Sequence, residues 1–127
     1  MVRRGTSGGG SDRKAERLDD PSGWLYLTHT QSLSLLVETI LDMGAGTEFV
    51  KADLIRQSGL TKATVNRRFD RLVEAGLIEV VDPGRSTTYR VRDGPAFTAV
   101  RDLRRAVDRA RRDDWSVETR GEKVADE

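Results

Sequence analysis

The sequence predicts a mainly α-helical domain with one small β-hairpin, and three observations lead there. Apolar residues recur at helical spacing over residues 30–43, 50–58, 61–75 and 95–113. The second and third segments are short and separated only by Ser58-Gly59-Leu60, a link tight enough to set two helices at an angle. Two β-rich runs, 77–81 and 87–92, then flank Asp82-Pro83-Gly84-Arg85, which has turn chemistry.

Residues 1–20 hold Gly-Thr-Ser-Gly-Gly-Gly-Ser and a mixed charged stretch; beyond Met1, only Val2, Ala15 and Leu18 are apolar. So little apolar surface cannot offset the entropy of ordering, so a disordered arm is expected, with any helix confined to its end. Asp20-Pro21-Ser22-Gly23 reads as a turn. The Trp24-Leu25-Tyr26-Leu27 cluster after it must pack on the domain or on a partner chain. Thr28-x-x-Gln31 resembles a capping box for the first core helix. That helix shows an apolar stripe of Leu33, Leu36, Val37, Ile40 and Leu41, and Gly44 and Gly46 stop it. Gly59 ends the next helix, Thr61 is the N-cap of the one after, and Gly76 follows its end. Gly94-Pro95 opens the last helix. The expected layout is a disordered arm (1–20), a central domain (21–94), a C-terminal helix (95–114) and a disordered tail (115–127).

Composition narrows the function. The 127 residues are 36% hydrophobic and 34% charged, which suits one small soluble domain. No apolar run is long enough to span a bilayer, and the N-terminus lacks the apolar core of a secretory signal, so the cytoplasm is expected. There is no cysteine, which removes disulfides and thiolate ligands, and His29 is the lone histidine, expected at a helix start with no ligand role. No cofactor or metal is therefore expected. The net charge of +1 hides segregation: residues 61–92 carry seven basic side chains against four acidic ones, whereas residues 21–60 carry two against four. A locally basic face suits phosphate. Arginine outnumbers lysine 18 to 4, which favours bidentate contacts to phosphate and guanine, although a GC-rich genome gives the same bias.

The helix opening at Thr61 concentrates these features. At helical spacing Val65, Phe69, Leu72, Val73 and Gly76 share an arc of roughly 100° that must be buried. Ala63, Arg67, Asp70 and Glu74 point the other way, with Thr64 and Asn66 flanking them and Arg71 extending the face. Slim residues beside Asn and Arg are what a helix needs to enter a major groove and bond base edges. Its free N-terminal amides, near Thr61 and Lys62, favour phosphate. On the hairpin, Arg90 and Arg92 alternate with Tyr89 and Val91 and so face solvent.

The stretch Ser58-Gly59-Leu60-Thr61-Lys62-Ala63-Thr64-Val65-Asn66-Arg67, continued by Leu72-Val73-Glu74-Ala75-Gly76-Leu77-Ile78, resembles the helix-turn-helix of winged-helix regulators of the MarR/ArsR type. The resemblance covers about residues 30–92. It implies a winged helix-turn-helix fold and a homodimer that binds double-stranded DNA and regulates transcription, by repression. It further implies DNA contacts from Thr61, Lys62, Ala63, Thr64, Asn66 and Arg67, with Arg85 at the tip of the wing meeting the minor groove or backbone. Arg71 and Arg90 are expected to bind DNA as well. Two departures matter. The cysteine and histidine clusters of metal-sensing ArsR-type proteins are missing, and Ala63 stands where a hydroxyl residue is frequent.

The last helix places Phe97, Val100, Leu103 and Val107 on one broad face, with Arg101, Arg105, Arg109 and Arg112 on the other. Those apolar residues, with Trp24, are expected to form the dimer contact. The alternative is a winged helix used as a protein-interaction module within a transcription or plasmid-partition complex. An enzyme is not expected, since no nucleophile–histidine pair, Gly-rich phosphate loop or metal set is present.

Overall fold

The helical spacings and turn residues resolve into six helices and three strands in the computed structural model, which describes residues 9–112, with side chains from residue 12 onward. The elements are α1 (Gly9–Asp19), α2 (Gly23–Thr28), α3 (Gln31–Met43), β1 (Glu48–Phe49), α4 (Lys51–Ser58), α5 (Lys62–Glu74), β2 (Ile78–Asp82), β3 (Thr88–Val91) and α6 (Pro95–Arg112).

The core forms where the predicted stripes converge. Leu33, Leu36 and Ile40 of α3, Leu54 of α4, Val65 and Leu72 of α5, Leu77 and Val91 are fully buried. Phe49, Phe69, Ile78 and Phe97 join them from β1, α5, β2 and α6. A fully buried Leu or Phe contributes about 1.5–3 kcal/mol by transfer alone, so this cluster is what holds four helices and a sheet in one arrangement.

Helix ends follow local chemistry. The Thr61 hydroxyl accepts from the Thr64 amide at 3.2 Å and caps α5. Gly59 closes α4 at φ 78°, in the left-handed region where an L side chain is strained, and this turn sets α4 against α5. At the start of α4 the carboxylate of Asp53 accepts from the Val50 amide at 3.1 Å and is itself held by Arg56. These two donors, the Val50 amide first, hold its pKa below the ordinary aspartate value.

Three expectations need correction. The cap of α3 is Thr30, whose hydroxyl accepts from the Leu33 amide at 3.2 Å. Thr28 instead closes α2, its hydroxyl donating to the Trp24 carbonyl at 2.7 Å, because the aromatic cluster forms a helix of its own. His29 accordingly caps the C-terminal end of α2 rather than starting α3, with Nδ1 3.0 Å from the Leu25 carbonyl. The arm expected to be disordered is helical from Gly9 to Asp19. Strong helix formers, an acid in its first turn (Asp12) and a base in its last (Arg17) favour that helix without a deep apolar face. Residues 1–8 and the tail at 115–127 lie outside the described residues.

The sheet has the order β1-β3-β2, antiparallel throughout. The predicted hairpin is its larger part. Strand β1 was not anticipated, because two residues are too short to show alternation. A register irregularity between Val80 and Asp82 bends the outer half of the hairpin.

Candidate nucleic-acid interface

Burial along α5 separates its two faces. Val65, Phe69 and Leu72 are buried, Val73 is only partly so, and Lys62, Ala63, Asn66, Arg67, Asp70 and Glu74 are exposed. The inner face is held by aromatic packing: the Phe69 ring meets Tyr89 edge-on at 4.7 Å, and Tyr89 lies 5.8 Å from Phe49. The Lys51 ammonium sits 4.5 Å above the Phe69 ring. These contacts join α5 to β3 and β1, so the exposed face is presented by a rigid support.

The predicted site residues do not all share that face. Thr61, Lys62, Ala63, Asn66 and Arg67 lie together on its N-terminal half, open to solvent. Thr64 is half-buried, and its hydroxyl accepts from that of Thr61 at 3.0 Å. Arg85 is exposed in the turn between β2 and β3. That turn is ordered by its own side chains, the Gly84 amide donating to Asp82 and the Thr87 hydroxyl to the Gly84 carbonyl.

Arg71 departs from the expectation. Its guanidinium lies 4.4 Å from the Tyr26 ring centroid and donates to the Tyr26 carbonyl at 3.1 Å. The outward face curves away from solvent there because α2 packs against the C-terminal half of α5. The Tyr26 hydroxyl closes the same contact by donating to the Glu74 carboxylate. That bond raises the Tyr26 pKa, aided by burial and by the Glu74 charge. Arg90 is engaged too, at 3.0 Å from Glu48 and 3.2 Å from Glu79. Of the two hairpin arginines expected in solvent, only Arg92 is exposed.

Arg68, to which the sequence assigned no role, donates from Nε to the Ser32 hydroxyl at 3.2 Å and ties α5 to the first turn of α3. Its position between the apolar stripe and the outward face was the available signal.

The C-terminal helix also divides. Phe97, expected at a dimer contact, is 3% exposed and belongs to the core of its own chain, since the first turn of α6 packs into the shared apolar cluster. Val100 packs partly against that core, whereas Trp24, Leu103 and Val107 stay exposed along a groove of about 180 Å³ between α2, α3 and α6. Arg104 pins α6 to α3 through Asp42 at 2.9 Å and Glu38 at 3.2 Å.

Residues 51–79, which span α4, the turn at Gly59, α5 and the start of β2, match the family model for winged helix-turn-helix DNA-binding domains. The chain's fold is similar to that of the transcriptional repressor BigR from Xylella fastidiosa. The TM-score is 0.52 at 21% sequence identity, over 76% of this chain and 94% of that one. The fold is a winged helix-turn-helix.

In this winged helix α5 occupies the recognition position, the β2–β3 hairpin is the wing, and β1 completes its sheet. No curated protein matches the chain in sequence. Among the described residues no helix is long and apolar enough to cross a membrane, and no group of three or more His, Asp or Glu could hold a metal ion.

Proposed function

We propose that this winged helix binds double-stranded DNA as a homodimer and regulates transcription, by repression, without catalysing a reaction. One observation carries the reading. The recognition helix buries Val65, Phe69 and Leu72 and leaves Lys62, Ala63, Asn66 and Arg67 exposed beside a capped N-terminus.

In the proposed complex the first turns of α5 enter the major groove. Asn66 and Arg67 form bidentate bonds to adenine and guanine edges, each worth about 1–3 kcal/mol of discrimination. Lys62 and Arg85 face phosphates and release counterions, so affinity falls steeply with salt. Ala63 permits close approach. Arg71 and Arg90 hold intramolecular partners, and no base contact is assigned to either.

Homodimerisation is supported by the exposed apolar strip shared by α2 and α6. Trp24 is 61% exposed, Val107 47% and Leu103 42%, all in one groove region. A second copy covering this strip would remove it from water and place two recognition helices to read two half-sites. Val107→Glu is expected to convert the dimer to a monomer in sedimentation equilibrium. A wild-type chain that is monomeric at micromolar concentration would remove this part of the proposal.

The central test is Arg67→Ala in mobility-shift titrations against selected and random duplexes. The ratio of the two affinities should fall about tenfold or more, whereas Arg85→Ala should weaken both about equally. A wild-type chain that shifts no duplex at low salt would overturn the DNA-binding reading.

A further inference from the structure

Arg90 sits opposite a carboxylate on each side. In the antiparallel register Glu48 of β1 and Glu79 of β2 are its direct Cα partners, so the three residues form one line across all three strands. The guanidinium uses both nitrogens, Nη2 on Glu48 at 3.0 Å and Nη1 on Glu79 at 3.2 Å. Arg90 side-chain exposure is 38%, against 53% for Glu48 and 40% for Glu79. A planar fork suits this double grip, which a lysine ammonium on one flexible stem would not reproduce.

The position of this line along the wing gives it leverage. Beyond Glu79 and Arg90 come the pair Val80 and Tyr89, then the irregularity that bends β2, then the pair Asp82 and Thr88. The turn past them is held by its own hydrogen bonds from Gly84 and Thr87, so the outer hairpin moves as a unit. The tip lies five residues from Arg90, or about 15 Å at the rise of a strand. A small rotation at the base is therefore magnified at Arg85.

We infer that Arg90 is a positioning residue of the wing: by clamping β1 and β2 to β3 it aims the hairpin tip, and it acts on the nucleic acid through Arg85 without touching a phosphate. This rests on the DNA-binding reading proposed above, and it replaces the direct DNA contact expected of Arg90. With both charge-assisted bonds satisfied within the sheet, the arginine neutralises no phosphate and so displaces none of the duplex's counterions.

The test uses the full chain and a random-sequence duplex several helical turns long, with affinity measured over a range of salt. Arg90→Gln should weaken binding by roughly fivefold, the loss expected from two half-exposed ion pairs together, and leave the slope of log affinity against log salt unchanged. Arg85→Gln should instead lower that slope by about 0.9 for each subunit, one phosphate contact per wing. In the double variant Arg90→Gln should cost nothing beyond Arg85→Gln, because the lever has lost its load. A fall in slope for Arg90→Gln, or costs that add in the double variant, overturns the inference. Should Arg90→Gln fail to fold, Glu79→Gln cuts only one of the two bonds and is put through the same cycle. Amide exchange across β1 and β2 in the free chain should quicken in either variant, and unchanged exchange refutes the clamp. A wild-type chain with no duplex affinity would overturn the DNA reading while this exchange measurement still reports on the clamp.

Discussion

Replacing Arg71 with alanine separates two roles that its place in the sequence leaves equally open. In the structure its guanidinium is stacked 4.4 Å from the Tyr26 ring centroid and donates at 3.1 Å to the Tyr26 carbonyl. A half-buried cation–π contact is worth about 1 kcal/mol, and a hydrogen bond from a charged donor about 1.5 kcal/mol. Both are made by one guanidinium and share its ordering cost, so the expected loss is about 2 kcal/mol. For a domain of this size that lowers Tm by roughly 10 °C. The Tyr26–Glu74 hydrogen bond, made by other atoms, should survive and hold α2 in place. Urea and thermal denaturation followed by far-UV circular dichroism measure the loss. Duplex titrations over a range of salt measure any phosphate contact. The expected outcome is a clear loss of stability with an unchanged salt slope. Unchanged stability together with a slope lower by about 0.9 per subunit would refute the assignment and return Arg71 to the DNA-facing surface.

Two further outcomes follow from the helix ends. Thr61→Ala removes the side-chain cap of α5 and should cost about 1 kcal/mol in denaturation, with Thr61→Ser restoring most of it. If the alanine variant is as stable as the wild type, the cap has no energetic role. Asp53 has its pKa lowered by the Val50 amide and by Arg56, so its ionised form stabilises the fold. That contribution is complete above the pKa of an unfolded aspartate and is lost as the pH falls through the lower, folded value. The stability gap between wild type and Asp53→Asn should therefore close on acidification into that range, and a gap independent of pH would contradict the capping geometry.

Much of the fold was legible because its cues are local. Gly44, Gly59 and Gly76 stand where the chain takes positive φ, and each lies at a boundary read from the sequence. The period of apolar residues in α3 and α5 follows from helical geometry, so it survives translation into burial, with Leu33, Leu36, Ile40, Val65, Phe69 and Leu72 inside. The outward face of α5 follows by subtraction. Asn66 and Arg67 could be placed in solvent from spacing alone, and they are there.

What the sequence could not contain is which distant segment lies opposite a given side chain. Arg71 and Arg67 differ little in helical position, yet α2 packs over one and leaves the other open, 45 residues separating Arg71 from its partner Tyr26. Arg90 reads as a solvent-facing arginine until β1, too short to register as a strand, brings Glu48 beside it from 42 residues away. Phe97 and Val107 occupy the same apolar face of one helix, and only the end that reaches the core is buried. Periodicity is a property of one element and is written in its own residues. The choice among solvent, core and ion pair for a residue on that element is made by long-range contacts, whose energies depend on the folded chain as a whole.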